Sequence, residues 1–499
     1  MPQYEAVIGM EVHVESKTQS KMFCSCKNGL GQEQQPNVNI CPVCTGHPGT
    51  LPVPNREALV KIIRFGKALN CTIADYTWFE RKSYFYPDLP KGYQITQYER
   101  PMCYEGEITI PTSDGDMNIR ITRIHMEEDT GKLTHVPGTT KSYVDYNRSS
   151  LPLMELVTEP DIRTAEQAGR FCEELQLILR YLDISDANMD KGQMRCEVNI
   201  SLREQGTEAF GTKVEIKNLN SFKAVENSIH YEIERQTRLL EEGGEVIQET
   251  RGWDDAKGQT FSQRKKENAN DYRYFLEPDI PPFHTADLVA DAAKGMGELP
   301  MSKRTRFAQE YGLADQQINT LVKDKDLAVY YEHVISELLE WYTTENPGVD
   351  SPESDKAYKK LVKLATNYLL TELTRMYSEQ GISFAESKIP AEEYAEFIKI
   401  AGSGEISSSA AQTVLAEMLV TGGDPSEIIE SKGLKQVSDA GALQGVVDEV
   451  IAENEAVAED IRGGNINAIQ FLVGQVMKKT RGSANPQVAR ELLESTLQQ

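Results

Sequence analysis

Glu11, His13 and Glu15 alternate with Met10, Val12 and Val14 in the stretch VIGMEVHVE at residues 7–15. Successive side chains of a β-strand point to opposite faces, so this spacing predicts one apolar face and one carrying carboxylate, imidazole, carboxylate. Such a face suits a metal ion or acid–base work; a half-buried strand with a solvated outer face is the plainer reading. RIHMEEDTGK sets His125, Glu127, Glu128 and Asp129 at the end of another strand, and LPLMELVTEPD holds Glu155 as the only charge between Leu151 and Val157. A carboxylate in so apolar a run is costly to bury unless a cation or donor meets it. Together these residues offer hard oxygen ligands and an imidazole, a set that suits Mg2+ or Mn2+, and Mg2+ is the usual partner of phosphates.

A second constellation is built from sulfur. Cys24 and Cys26 are followed by Cys41 and Cys44 across a polar loop rich in Gly, Pro and Asn. In a reducing compartment two close thiol pairs read as a four-thiolate zinc site rather than as disulfides. Four thiolates leave no open coordination position, so the expected role is structural. His47 is read as a turn residue, and Cys71, Cys103, Cys172 and Cys196 as small hydrophobes.

The elements that must position these groups change texture along the chain. Up to about residue 295 short alternating segments, turns and isolated helices predict an α+β domain with mainly antiparallel pairing. GEITIPTSDGDMNIRITRIHMEE reads as a hairpin turning at Asp114-Gly115. RCEVNISL and GTKVEIK read as another, with Cys196, Val198, Ile200, Val214 and Ile216 on one face and Arg195, Glu197, Asn199, Lys213, Glu215 and Lys217 on the other. EQAGRFCEELQLILRYLD and SFKAVENSIHYEIERQTRLLEEGG have helical period. From about Met301 helical segments follow one another, and Gly/Ser breaks near residue 403 mark off a tail. The expected domains are 1–295, a helical domain 296–402 and a helical tail 403–499.

Composition narrows the class. Hydrophobic residues at 39% and charged residues at 26% fit a soluble globular chain, and no apolar run is long enough to cross a bilayer. The acid-bearing N-terminus does not read as a targeting peptide, so the expected location is the cytoplasm. A net charge of −24 argues against non-specific nucleic-acid binding but leaves room for a local basic patch. One such patch lies between Phe471 and Arg490, where Lys478, Lys479, Arg481 and Arg490 occur with no acid.

VIGMEVHVE, CPVCTGHPGTLPVPN, RKSYFYPDLPKGYQITQ, RIHMEEDTGK, LPLMELVTEPDIR, GTKVEIKNLNSF and RKKENANDYRYFLEPDIPP together resemble the B-subunit family of aspartyl/glutamyl-tRNA amidotransferases. FLVGQVMKKTRGSANPQ resembles the family's C-terminal tRNA-binding domain, so the likeness runs from Tyr4 to about residue 495. The resemblance implies a glutamine-synthetase-like antiparallel cradle and a Mg2+ site at Glu11, His13, Glu128 and Glu155. It also implies a zinc site at Cys24, Cys26, Cys41 and Cys44. The activity it implies is a ligase of protein biosynthesis: ATP phosphorylates the side-chain carboxylate of glutamate or aspartate mischarged on tRNA, and ammonia then displaces phosphate. Lys82, Arg195, Lys213 and Lys217 are the candidate cations for ATP, and Lys478, Lys479, Arg481 and Arg490 those for tRNA. No amidase-like Gly-Gly-Ser-Ser run is present, so the resemblance implies two partners in a heterotrimer: an A-type amidase subunit that hydrolyses glutamine, and a small C-type subunit. A small-molecule carboxylate–ammonia ligase would not need the basic tail, and a non-catalytic tRNA scaffold would not need the four metal-ligand candidates together.

Overall fold

A computed structural model describes residues 4–29, 33, 35–265, 272–349, 351–436, 440–480 and 484–497. The chain divides into two compact units, Met1–Ser302 and Lys303–Gln499.

In the first unit the alternation at the N-terminus does form a strand, Tyr4–Glu15, and it runs through the middle of a twelve-stranded sheet. Antiparallel neighbours Pro152–Thr158 and Met194–Glu204 flank it, and the long strand Gly115–Glu128 pairs with the far edge of Pro152–Thr158. Most pairs are antiparallel, as the short turns require. Val214–Leu219 and Glu249–Asp254 form a parallel pair, with the long helix Phe222–Glu241 as part of the connection. The sheet is therefore mixed. The hairpin of Cys103–Thr112 with Gly115–Glu128 closes on the pair Thr112–Gly115, so its two-residue loop is Ser113-Asp114, one position earlier than expected.

One face of the sheet is covered. Met10, Val12, Val14, Ile124, Met154, Leu156, Cys196, Val198, Ile200, Val214 and Ile216 join a single buried core with residues of the helices Arg56–Ala68, Ala165–Tyr181 and Phe222–Glu241. Ala165–Tyr181 starts with a capping box: the Thr164 hydroxyl accepts from the Gln167 amide, and the Gln167 side chain accepts from the Thr164 amide. Because period-2 alternation sends the odd-numbered residues of Tyr4–Glu15 the other way, the opposite face of the sheet carries the polar groups.

The second unit differs in texture: its described elements are helices joined by short loops, apart from an isolated bridge between Ile406 and Lys435. Asp424 caps Pro425–Lys432 by accepting from the Glu427 amide, and Pro425 occupies the first turn, where its missing N–H costs nothing. Its helix Lys325–Glu345 buries Leu327, Tyr331, Val334, Ile335, Leu338 and Tyr342. No helix described is long and apolar enough to cross a membrane.

Candidate active site

Register, rather than sequence proximity, assembles the polar face. His13 stands opposite Glu155 on one side and Arg195 on the other, and Glu155 in turn stands opposite His125. The row Arg195, His13, Glu155, His125 therefore crosses four strands at one level. Glu127 is two residues beyond His125 on the same face. His13 Nε2 is 3.4 Å from Glu155 and 3.8 Å from Glu127, while His125 Nε2 is 3.5 Å and 3.7 Å from the same two carboxylates. Ligand atoms of His13, Glu127 and Glu155 all lie within 4.8 Å of one another. Two carboxylates and an imidazole at that separation fit a hard divalent cation.

The electrostatics are those of a site built for positive charge. Burial pulls the His13 imidazole toward its neutral form, but the hydrogen bond to Glu155 and the charges of Glu155, Glu197 and Glu127 together raise its pKa to about 9. Burial pushes the Glu155 carboxyl up, yet the charge of His125, the His13 hydrogen bond and the Lys82 ammonium hold it well below the usual carboxylate range. Lys82 faces Glu127 and Glu155, with the Tyr272 ring centroid 5.0 Å and the Tyr84 centroid 5.9 Å from its Nζ. Tyr274 stacks on Tyr98 at 4.2 Å and adds to this aromatic wall. Tyr84 thus borders the site, whereas Tyr86 is exposed.

The other expected residues divide. Glu11 shares the face of His13 and is opposite Glu197, and its carboxylate accepts from Asn199 Nδ2 at 2.7 Å. Together with Glu197 and Glu215 it forms a second acid group whose ligand atoms lie within 4.8 Å. Lys217 neutralises that group, 2.6 Å from Glu197 and 3.7 Å from Glu215. Lys213 lines a cavity of about 230 Å3 with Glu11, Asn199, Ser201 and Phe210. Arg195 donates to Asp129 at 2.9 Å. Glu15 is not solvated: it is 2% exposed, and burial with the neighbouring Asp129 charge raises its carboxyl to about 9.

Glu128 is not brought to His13. Its carboxylate accepts from the Ile95 amide at 2.9 Å and from Lys91 Nζ at 2.8 Å, beside a separate cavity of about 280 Å3 that also includes Arg81, Tyr93 and His47. The reason is strand parity: neighbouring residues of one strand face opposite ways, so Glu127 rather than Glu128 joins His125. The ligand set implied by the resemblance leaves out His125 and Glu127 of the acidic cluster, and residue type alone does not single out Arg123, 3.7 Å from Glu155. The signal that could find them is the alternation of Arg123, His125 and Glu127.

The four expected thiols do converge. Cys24, Cys26, Cys41 and Cys44 place their sulfurs within 4.8 Å of one another, and the Cys41 and Cys44 sulfurs are 3.8 Å apart. A tetrahedron with zinc–sulfur bonds of about 2.3 Å has edges of about 3.8 Å, so the donor set fits zinc. The Cys41 amide donates to Cys44 Sγ at 3.2 Å. The Cys24 hydrogen bond, the Cys41 amide and the Lys21 charge draw the Cys44 thiol down to about 5 against the opposing effect of burial. His47 belongs to the turn that follows, where its amide donates to the Pro42 carbonyl.

In the tail, Lys478 is exposed on the helix Ile469–Lys479. Lys479 pairs with Glu449 at 2.8 Å and Glu453 at 2.7 Å, and Arg490 with Glu494 at 2.9 Å. Arg481 lies outside the described residues. Acids from outside the stretch thus balance part of an island that is acid-free in sequence. A cavity of about 540 Å3 elsewhere in the helical unit, lined by Glu337, Glu340, Glu392, Glu396, Glu405 and Glu430 against Lys399 and Lys435, has the wrong sign for phosphate.

Comparison with known proteins finds named relatives over nearly the whole chain. Residues 6–291 match the family profile described as GatB/GatE catalytic domain, and residues 353–497 match that described as GatB domain. A relative from Persephonella marina, named as the B-subunit of aspartyl/glutamyl-tRNA(Asn/Gln) amidotransferase, is 46% identical over 496 residues, 99% of this chain and 100% of its own. Relatives with the same name from Caldanaerobacter subterraneus and Myxococcus xanthus are 46% and 43% identical, each over 99% of this chain and 99% and 98% of their own.

Proposed function

The chain belongs to the B-subunit family of aspartyl/glutamyl-tRNA(Asn/Gln) amidotransferases, and from that premise we propose that its polar sheet face carries the ATP-dependent half of the reaction. The substrate is the side-chain carboxylate of glutamate or aspartate mischarged on tRNA. Oxide is too poor a leaving group for direct amidation, so the carboxylate first takes the γ-phosphoryl group of ATP. Ammonia then attacks the acyl phosphate, phosphate leaves, and the amide remains on the tRNA.

The observation that carries this reading is the convergence of His13, Glu127 and Glu155 under Lys82. Phosphoryl transfer asks the protein mainly for in-line positioning and charge neutralisation. Mg2+, when held by His13, Glu127 and Glu155 with Glu11 alongside, supplies positive charge to the transferring phosphoryl group. Lys82 and Arg195 add fixed cations to that end of the face, and Lys213 and Lys217 serve the end near Glu11. Tyr84, Tyr272 and Tyr274 limit water around Lys82, which favours amidation of the acyl phosphate over its hydrolysis. The sheet with its polar face is read as the glutamine-synthetase-like cradle of the family.

Ammonia comes from glutamine hydrolysed by an A-type amidase subunit, with a small C-type subunit completing the heterotrimer in the cytoplasm. Zinc on Cys24, Cys26, Cys41 and Cys44 is structural. The tail from residue 403 holds the tRNA, with Lys478 an exposed cation of its basic island. The test is ATP consumption by the assembled enzyme with and without mischarged tRNA. Stimulation by mischarged tRNA and not by free glutamate supports the reading; stimulation by free glutamate alone, or no turnover, overturns it.

A further inference from the structure

Lys21 is 0% exposed, and no carboxylate pairs with its ammonium among the described residues. Its Nζ donates to the Asn39 carbonyl at 2.9 Å and the Tyr146 carbonyl at 3.4 Å, and lies 3.9 Å from Cys44 Sγ. A buried ammonium is strongly disfavoured unless an anion and hydrogen-bond acceptors surround it. Two carbonyls satisfy hydrogen bonds but carry no net charge, so the anion must come from the sulfur cluster.

The local chain path puts Lys21 there by construction. A bridge between Ser20 and Lys27 and a hydrogen bond from the Lys21 amide to the Cys26 carbonyl fold residues 20–27 into a small loop, with Cys24 near its tip and Cys26 across from Lys21. Cys41 and Cys44 approach from the second loop. Lys21 extends between the two, and its carbonyl contacts also tie down the segments around Asn39 and Tyr146.

We propose that Lys21 is the built-in counter-ion of the zinc–thiolate cluster, a positioning residue that strengthens metal retention through its charge. The inference rests on the zinc reading above. Zinc with four thiolates carries a net charge of minus two, which a buried ammonium at hydrogen-bonding range to one sulfur partly neutralises. Groups that orient or charge-balance metal ligands are typically worth about 10- to 100-fold in metal affinity.

The experiment measures zinc affinity of the full chain by competition with a chelator, using zinc alone as the probe. Lys21→Met should bind zinc about 10- to 100-fold more weakly than the unchanged chain. Lys21→Gln keeps an N–H donor for the carbonyls but not the charge, and should weaken binding comparably; where Lys21→Met does not fold, it carries the test. To separate charge from packing, both substitutions are repeated in a Cys26→His background, where a neutral ligand lowers the cluster's negative charge. The loss should then be clearly smaller. Equal losses in the two backgrounds, or wild-type affinity in the Lys21 variants, would overturn the proposal while leaving zinc itself in place. Absence of zinc binding by the unchanged, fully reduced chain would instead sink the zinc reading.

Discussion

Glu127 and Glu128 are neighbours in sequence with opposite duties. Glu127 shares a face with His125 and approaches His13, whereas Glu128 is 1% exposed and pairs with Lys91 away from that face. Removing one partner of a buried ion pair leaves the other charge uncompensated, so Glu128→Ala should destabilise the protein by about 3–5 kcal/mol, read from denaturant unfolding. Glu128→Gln, which keeps shape and acceptor, should retain most tRNA-dependent ATP cleavage. Glu127→Gln should lose about 100-fold or more of that activity with little change in unfolding, the scale of removing one electrostatic stabiliser. An activity loss on Glu128→Gln with none on Glu127→Gln would reverse the assignment. Much of this site is legible in the sequence: the alternation of Glu11, His13 and Glu15, the solitary Glu155, and His125 and Glu127 of the cluster RIHMEED lie on the polar face, while Glu128 does not. What residue types do not reveal is the parity that separates Glu127 from Glu128, because parity becomes decisive only once the strand's register is known.

At the level of elements, clean periodicity is readable and concealed faces are not. The helix Phe222–Glu241 buries one stripe, Ala224, Val225, Ser228, Ile229, Glu232 and Gln236, and announces it by period. Lys325–Glu345 buries adjacent pairs such as Leu327 with Ala328, Tyr330 with Tyr331, and Val334 with Ile335. Its broad apolar surface leaves no narrow stripe to recognise. The parallel strand Glu249–Asp254 is equally hidden, since its partner is fixed by a crossover rather than a short turn. Caps offer a test that leaves the site untouched: Thr164→Ala removes the hydroxyl that accepts from Gln167 and should cost about 1 kcal/mol in thermal or denaturant unfolding, without altering ATP cleavage. The zinc loop offers another. Purified, reduced protein should contain about one zinc per chain, and Cys41→Ser with Cys44→Ser should abolish it and lower stability more than it changes catalysis.

For the whole molecule, charge is spatial before it is compositional. A chain with a net charge of −24 must meet tRNA through local cations, and the sequence island between Phe471 and Arg490 is only partly available because Glu449, Glu453 and Glu494 balance Lys479 and Arg490. Lys478→Ala should therefore weaken mischarged-tRNA binding and reduce its salt dependence by about one counter-ion, while Lys479→Ala should do less. Titrating tRNA binding at several salt concentrations checks both. The assignment of phosphoryl transfer to His13, Glu127 and Glu155 concerns the other unit. It is tested most directly by single-turnover ATP cleavage in the assembled enzyme carrying Glu155→Gln, with mischarged tRNA saturating. A loss of about 100-fold or more is expected, with tRNA affinity and intrinsic glutamine hydrolysis retained. Cleavage at the unaltered rate once tRNA is saturating would contradict it.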